Sequence, residues 1–335
     1  MKKAVRIGIT LGDVNGIGPE IALKAVHQRG WPRNVHFVLI GSPSVVARQA
    51  RRLHLSTPPV CPLDLPTSAL PAISIWDPAP RLTPTLKPGR VTAAASRAAE
   101  AWIHAAVAAC LNRKLHGMVT APICKEGLQA AGIRAPGHTE MLARLCGTKR
   151  FAMMLFGPGL RVILATRHVP LAKVAATLNT AALLETIELT GEALPWLGCR
   201  GARIGVCGLN PHAGDGGALG SEEKRVITPA IVAARRKGFR VAGPIPADVI
   251  FHQAINGQHD AVVAMYHDQG LGPLKMLAFE CGVNITLGLP IVRTSPDHGT
   301  AFDIAGRGIA NPSSMVEAVR WAVKLAQRKN PWRAR

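Results

Sequence analysis

The sequence is poor in aromatic side chains, in acidic groups and in long apolar runs. Aromatics make up 4% of 335 residues, so Ala, Val, Leu and Ile must fill the core and few rings are available to stack on nucleic-acid bases. No stretch approaches the roughly 18–20 apolar residues of a membrane helix. The most apolar one, residues 91–111, is broken by Arg97, Glu100 and His104. The amino-terminal run lacks a signal-peptide pattern, because Asp13 and Pro19 interrupt any apolar core; it reads as a first β-strand. The seven cysteines include no CxxC pair, which argues against a disulfide framework and for a reducing compartment. Cys207 and Cys281, close to candidate site residues, read as small buried hydrophobes. Internal repeats and low-complexity tails are missing too.

What is present is the composition of a packed protein: 48% hydrophobic and 18% charged residues, on a chain long enough for two domains. Forty Lys and Arg against twenty Asp and Glu leave a formal charge of +20. Such a surface attracts anions, whether nucleic acid, acidic lipid or phosphorylated metabolites. The basic residues are scattered, with one modest cluster at Arg320, Lys324, Arg328, Lys329, Arg333 and Arg335. No nucleic-acid motif accompanies them, so a generally basic surface is expected. A nucleic-acid-binding protein of another class is the competing reading.

Short β-like runs alternate with helical stretches. Strands are expected at Val5–Thr10, Val35–Ile40, Ile73–Trp76, Gly117–Thr120, Arg203–Cys207, residues 261–265 and Val283–Leu287. Residues 151–156 and 161–166 flank Gly157-Pro158-Gly159, a hairpin signal that makes the sheet mixed. Helices are expected from Pro19, over residues 91–113, in two pieces over 171–194, and over 222–237 and 314–328; residues 54–90 read as irregular. This order implies an α/β fold with a mostly parallel sheet, whose ligands sit at the carboxyl ends of strands.

Polar clusters fall at those ends. Residues 12–20 form a Gly-rich strand-to-helix turn, either facing a phosphate or purely structural. Pro136-Gly137-His138-Thr139-Glu140 opens a helix, where His138 and Thr139 either hold an anion or serve as a cap with an incidental histidine. His168, His212 and His267 each stand just past a strand. One such histidine is a weak signal; three equivalent ones suggest a site for Zn, Co, Ni or Fe with positions open to substrate, where the metal polarises an oxygen. Asp268 is placed to support it. Glycines after His212 let backbone approach a dinucleotide, although the Rossmann fingerprint is absent. Lys275, Asn284 and Arg293 suit a phosphate, in a polar run that continues to Thr300.

Together, residues 12–20, 137–140, 208–217, 243–248, 266–270 and 284–300 resemble the 4-hydroxythreonine-4-phosphate dehydrogenase family and its relatives acting on phosphorylated four-carbon sugar acids. The resemblance runs over nearly the whole chain. It implies a fold like isocitrate and isopropylmalate dehydrogenases, two α/β/α domains with an interdomain cleft: residues 1–140 with 290–335, and residues 141–289. It implies a cytoplasmic homodimer with a shared active site and no nucleic-acid or membrane partner. By resemblance His168, His212 and His267 hold a divalent metal (Zn, Mg or Co) and are catalytic with Lys275. His138, Thr139, Lys275, Asn284 and Arg293 bind substrate, and Asn210, Gly214, Gly217 and Asp248 face NAD or NADP. The implied reaction oxidises 4-phosphooxy-L-threonine to a β-keto acid that decarboxylates to 3-amino-2-oxopropyl phosphate, in pyridoxal phosphate biosynthesis. D-threonate or D-erythronate 4-phosphate is the alternative substrate. The chain departs from the family at Val14-Asn15 for the commoner Pro-Ala, at Asp215 for Glu, and at Arg167, where a small hydroxyl residue is common.

Overall fold

The computed structural model describes residues 4–66, 69–135 and 137–333. Pro136 of the expected anion turn, Arg335 of the basic cluster and the first three residues lie outside them. The strands are β1 (Val5–Thr10), β2 (Val35–Ile40), β3 (Ile73–Trp76), β4 (Gly117–Thr120), β5 (Ala152–Gly157), β6 (Leu160–Leu164), β7 (Arg203–Cys207), β8 (Arg240–Ile245), β9 (Ala261–Ala264), β10 (Val283–Leu287) and β11 (Arg293–Pro296). The helices are α1 (Gly18–Val26), α2 (Pro43–Arg52), α3 (Ala93–Leu111), α4 (Lys125–Ala130), α5 (His138–Leu145), α6 (Val174–Thr177), α7 (Thr180–Leu197), α8 (Thr228–Arg236), α9 (Ala247–Ile255), α10 (His267–Ala278) and α11 (Ser313–Ala326). The α/β class expected from the sequence is the class observed.

The chain divides into two compact units, Met1–Lys149 with Leu289–Arg335, and Arg150–Gly288. In the first unit the strands run β3-β2-β1-β4-β11, all parallel. Their continuous apolar runs follow from cover on both faces; Ile7, Ile9, Leu39 and Ile75 are fully buried. Helix α3 contributes Trp102 and Ile103 to this core and starts at Thr92, whose hydroxyl accepts the Ala95 N–H.

In the second unit the order is β10-β5-β6-β9-β7-β8. Here β5 alone runs antiparallel, to β6 through the expected hairpin and to β10 on its other side. The remaining neighbours are parallel, so β6, β7 and β9 deliver their carboxyl ends to one rim. Its core contains Leu155, Val162, Ile250, Val262 and Leu274. Among the described residues no helix is long and apolar enough to cross a membrane, and all seven cysteines are free thiols.

Candidate active site

The polar side chains form two groups, one in each unit. In the second unit they stand on the rim beyond β6, β7 and β9. Two buried side chains tie that rim together. Thr166 donates from its backbone N–H and its hydroxyl to the Met265 carbonyl, at 3.1 and 2.7 Å. Gln269 accepts the Met265 N–H at 2.7 Å and donates to the Gly208 carbonyl at 2.8 Å. Three strand ends are thus cross-linked by groups water cannot reach, which holds the following histidines on a rigid frame.

On this frame His168 and His267 face each other, with ring centres 5.8 Å apart and planes tilted by 38°. His267 opens α10, and its Nδ1 lies 2.7 Å from the Asp268 carboxylate, which orients the ring and leaves Nε2 for a ligand. A metal bound through nitrogen by two imidazoles at about 2.1 Å each separates their ring centres by roughly 5 Å at a tetrahedral angle. The pair therefore fits two ligands of one ion. Among the described residues no third His, Cys, Asp or Glu completes a metal-holding group with them. The structure gathers two of the three candidate histidines and leaves His212 exposed on its own loop.

That loop, Pro211–Gly217, has an unusual backbone. His212, Ala213, Gly214, Asp215 and Gly216 all take left-handed conformations, with φ of 52°, 53°, 82°, 41° and 64°. Each non-glycine residue there costs about 1 kcal/mol or more. The offsetting contacts come from Glu223. One of its oxygens accepts the N–H groups of Leu209 and Asn210 at 2.8 Å each, and the other accepts the Asn210 amide at 3.0 Å. Burial works against the Glu223 charge, but the hydrogen bonds from Asn210 and Leu209 outweigh it and hold the carboxyl below its ordinary value.

Of the candidate cofactor residues, Asn210 is spent on Glu222 and Glu223. Gly214 is buried against the Glu223 carboxylate, where a Cβ would come within 2.7 Å of an oxygen. Gly217 and Asp248, the latter in the first turn of α9, are exposed. Lys275 lies on α10, its Nζ 5.5 Å from the centre of the Phe279 ring. It is two helical turns, about 12 Å, beyond His267. Asn284 is near the start of β10, paired with Leu155, and its side-chain oxygen is buried without a hydrogen-bond partner among the described residues. Because β10 runs in the same direction as β6, Asn284 sits toward the amino ends of the strands while the imidazole pair stands at the carboxyl ends.

In the first unit the turn at residues 12–20 is buried throughout. It is a structural joint rather than a phosphate loop. Asn15 explains the departure there: its side chain accepts the Lys87 N–H at 2.7 Å and donates to the Arg90 carbonyl and Thr92 hydroxyl at 3.0 Å each. Ile17 donates to the Thr300 carbonyl at 2.9 Å.

Arg293, expected in a polar run, lies in strand β11 with 2% exposure. Its Nε and Nη2 donate to the Thr120 hydroxyl at 3.2 and 2.8 Å. Burial lowers its pKa to about 9, against the opposing pull of Glu140, so it stays charged at neutral pH. His138 and Thr139 begin α5. Burial, and then the Arg293 charge, hold His138 neutral well below its ordinary value, and its buried Nε2 has no hydrogen-bond partner among the described residues. A helix amino terminus, a buried guanidinium and a neutral imidazole make a corner suited to an anion.

Sequence reasoning missed Thr166, Gln269 and Glu223 as positioning residues. Only Gln269 carried a signal, a polar residue three positions into an otherwise apolar helix face.

An imidazole pair braced by a carboxylate in one unit, and in the other a buried arginine whose charge acts on the histidine that starts α5, are groups an α/β enzyme with an anionic substrate can use. The particular family is that of the pyridoxal phosphate biosynthetic protein PdxA, to which the chain belongs; the family model matches residues 33–322. The chain is 48% identical over 328 residues to 4-hydroxythreonine-4-phosphate dehydrogenase of Desulfosudis oleivorans, covering 96% of both. It is 44% identical over 341 residues to D-threonate 4-phosphate dehydrogenase of Cupriavidus necator, covering 96% of this chain and 98% of that one. The crystal structure of 4-hydroxythreonine-4-phosphate dehydrogenase from Klebsiella pneumoniae superposes with a TM-score of 0.86 at 40% identity, over 98% of this chain and 99% of that one.

Proposed function

We propose that the chain is an NAD(P)-dependent dehydrogenase that oxidises the secondary alcohol of a four-carbon, 4-phosphorylated 3-hydroxy acid, and that the resulting β-keto acid loses carbon dioxide. The observation that carries this reading is the facing His168 and His267 pair oriented by Asp268. His168 and His267 would hold a divalent metal, Zn, Mg or Co; His212, which stands apart from the pair in this structure, is the candidate for a third ligand. A bound metal would supply polarisation of the alcohol and keto oxygens, and a bound nicotinamide would supply the hydride acceptor. Arg293, Thr139 and the first turn of α5 bind the phosphate, and the unpartnered Nε2 of the neutral His138 donates to it in the Nε2–H tautomer. Gly216 leaves main chain uncovered for the dinucleotide, and the exposed Gly217 lies beside the Lys224 ammonium. The +20 charge draws in an anionic substrate.

The reading includes a homodimer. Lys275 and Asn284 stand away from the imidazole pair of their own unit, as expected if they serve a second copy's substrate. The carboxyl end of α10 also leaves Met276 and Phe279 89% and 76% exposed, which suits a protein partner.

The test mixes two inactive variants, His168→Ala and Lys275→Ala, after joint refolding, with metal, NAD and a phosphorylated acid. Partial recovery of activity is expected, because one site of each mixed dimer is intact. No recovery overturns the shared site. Wild-type activity that survives a chelator overturns the metal.

A further inference from the structure

The curated relatives divide over one substituent. 4-Hydroxythreonine 4-phosphate carries an ammonium on the carbon beside its secondary alcohol, and D-threonate 4-phosphate carries a hydroxyl there. Carboxylate, alcohol and phosphate are common to both. The hydroxy acid therefore has one more net negative charge at neutral pH.

Arg167 is the residue before His168. Its guanidinium carbon lies 4.8 Å from the centre of the Phe151 ring. Phe151 immediately precedes β5, and β5 is antiparallel to β6, so this ring stands beside the carboxyl end of β6. Stacking thereby keeps the guanidinium at the rim that carries the imidazole pair. It covers one face of the group and leaves the edge N–H groups for an acceptor. Among the described residues Nη1 is buried with no hydrogen-bond partner, and no carboxylate pairs with Arg167. The nearest carboxylate in sequence on that rim, Asp268, is taken up by His267, and its side chain is 90% exposed and screened by water.

We propose that Arg167 is a specificity residue that selects a 2-hydroxy over a 2-amino substrate, so that the chain acts on a 4-phosphorylated 2,3-dihydroxy acid of four carbons. The inference rests on the dehydrogenase reading above. A fixed positive charge within about 10 Å of the variable carbon discriminates between the two acids on the order of tenfold at a permittivity typical of protein sites. It repels the ammonium and favours the more anionic acid, while the buried Nη1 gains an acceptor from the carboxylate or the 2-hydroxyl. A small hydroxyl residue at this position has neither effect.

The test compares kcat/KM of the full chain, with divalent metal and NAD, on D-threonate 4-phosphate, D-erythronate 4-phosphate and 4-phosphooxy-L-threonine. Wild type, Arg167→Lys, Arg167→Thr and Arg167→Gln are assayed, and calorimetry without NAD reads binding of each acid directly. The wild type is expected to prefer a dihydroxy acid by about tenfold or more. Arg167→Thr and Arg167→Gln should shift the ratio toward the amino acid by about five- to twentyfold in both turnover and binding, and Arg167→Lys should keep most of the preference. A wild-type preference for 4-phosphooxy-L-threonine, or an unchanged ratio in the neutral variants, overturns the inference and leaves the dehydrogenase reading intact. Inactivity on all three acids overturns both.

Discussion

The side-chain amide of Gln269 donates to the backbone carbonyl of Gly208 across 2.8 Å, joining the first turn of α10 to the end of β7. Its other end accepts the Met265 N–H. Gln269→Leu fills the same space but leaves two backbone groups without partners. Loss of about 2–4 kcal/mol in urea unfolding is expected. Loss below about 0.5 kcal/mol would show that the rim does not depend on this bridge.

Glu223 and the left-handed loop make a second pair of dependent features. Glu223→Gln keeps the shape but trades charge-assisted acceptance for a single neutral oxygen. It should cost about 1–3 kcal/mol and raise protease sensitivity within residues 208–217. A loop as resistant as the wild type would mean that its left-handed backbone is held by other contacts.

Asp268→Asn leaves His168 and His267, the proposed metal ligands, in place and removes the carboxylate that orients His267. Metal affinity measured by calorimetry should fall about 10- to 100-fold. His267→Ala should fall further still. Equal affinity in Asp268→Asn and wild type would separate Asp268 from the metal.

His138 gives a pH dependence. Its folded pKa lies well below the ordinary 6.5. As pH falls below that value the unfolded chain takes up the proton first, so stability is present at neutral pH and is lost on acidification. Glu223, lowered from 4.5, adds a second loss that begins only near its own unfolded value. Melting temperatures of wild type and His138→Gln from pH 7.5 to 5 should diverge, the variant falling less. Parallel curves would place His138 outside this linkage.

Arg293→Met removes a buried charge and should abolish phosphate recognition, lowering kcat/KM by more than about 100-fold. Its melting temperature should be no lower than wild type, because desolvating the guanidinium is costly. A strongly destabilised variant would make Arg293 chiefly a structural group.

Nine of the eleven strands were legible because apolar runs with Gly and Pro punctuation are local signals; β8 and β11, which carry Gly, Pro or polar residues, were not. The hairpin at Gly157-Pro158-Gly159 and the Ala-rich α3 followed the same rule. Less legible were features made by distant partners. Glu223 braces Asn210 from thirteen positions away, and nothing around either residue announces it. The glycines after His212 suggested a dinucleotide loop, yet Gly214 is there because a carboxylate occupies the space of a side chain. Residues 12–20 read as either a phosphate-facing or a structural turn, and their burial, with Asn15 facing inward to residues 87–92, favours the second. Arg293 lay in a run dense with glycine and polar groups, so its burial in a strand was hidden.

The first unit is assembled from two lengths of chain, with the whole second unit between them. During synthesis β4 emerges from the ribosome long before β11, its neighbour in the sheet. The second unit has all its strands in hand before β11 exists, so it can be folded while the first still lacks its edge. Arg293, carried on β11, arrives after every histidine on the other unit's rim. A truncated translation product would thus carry the paired imidazoles without the buried guanidinium.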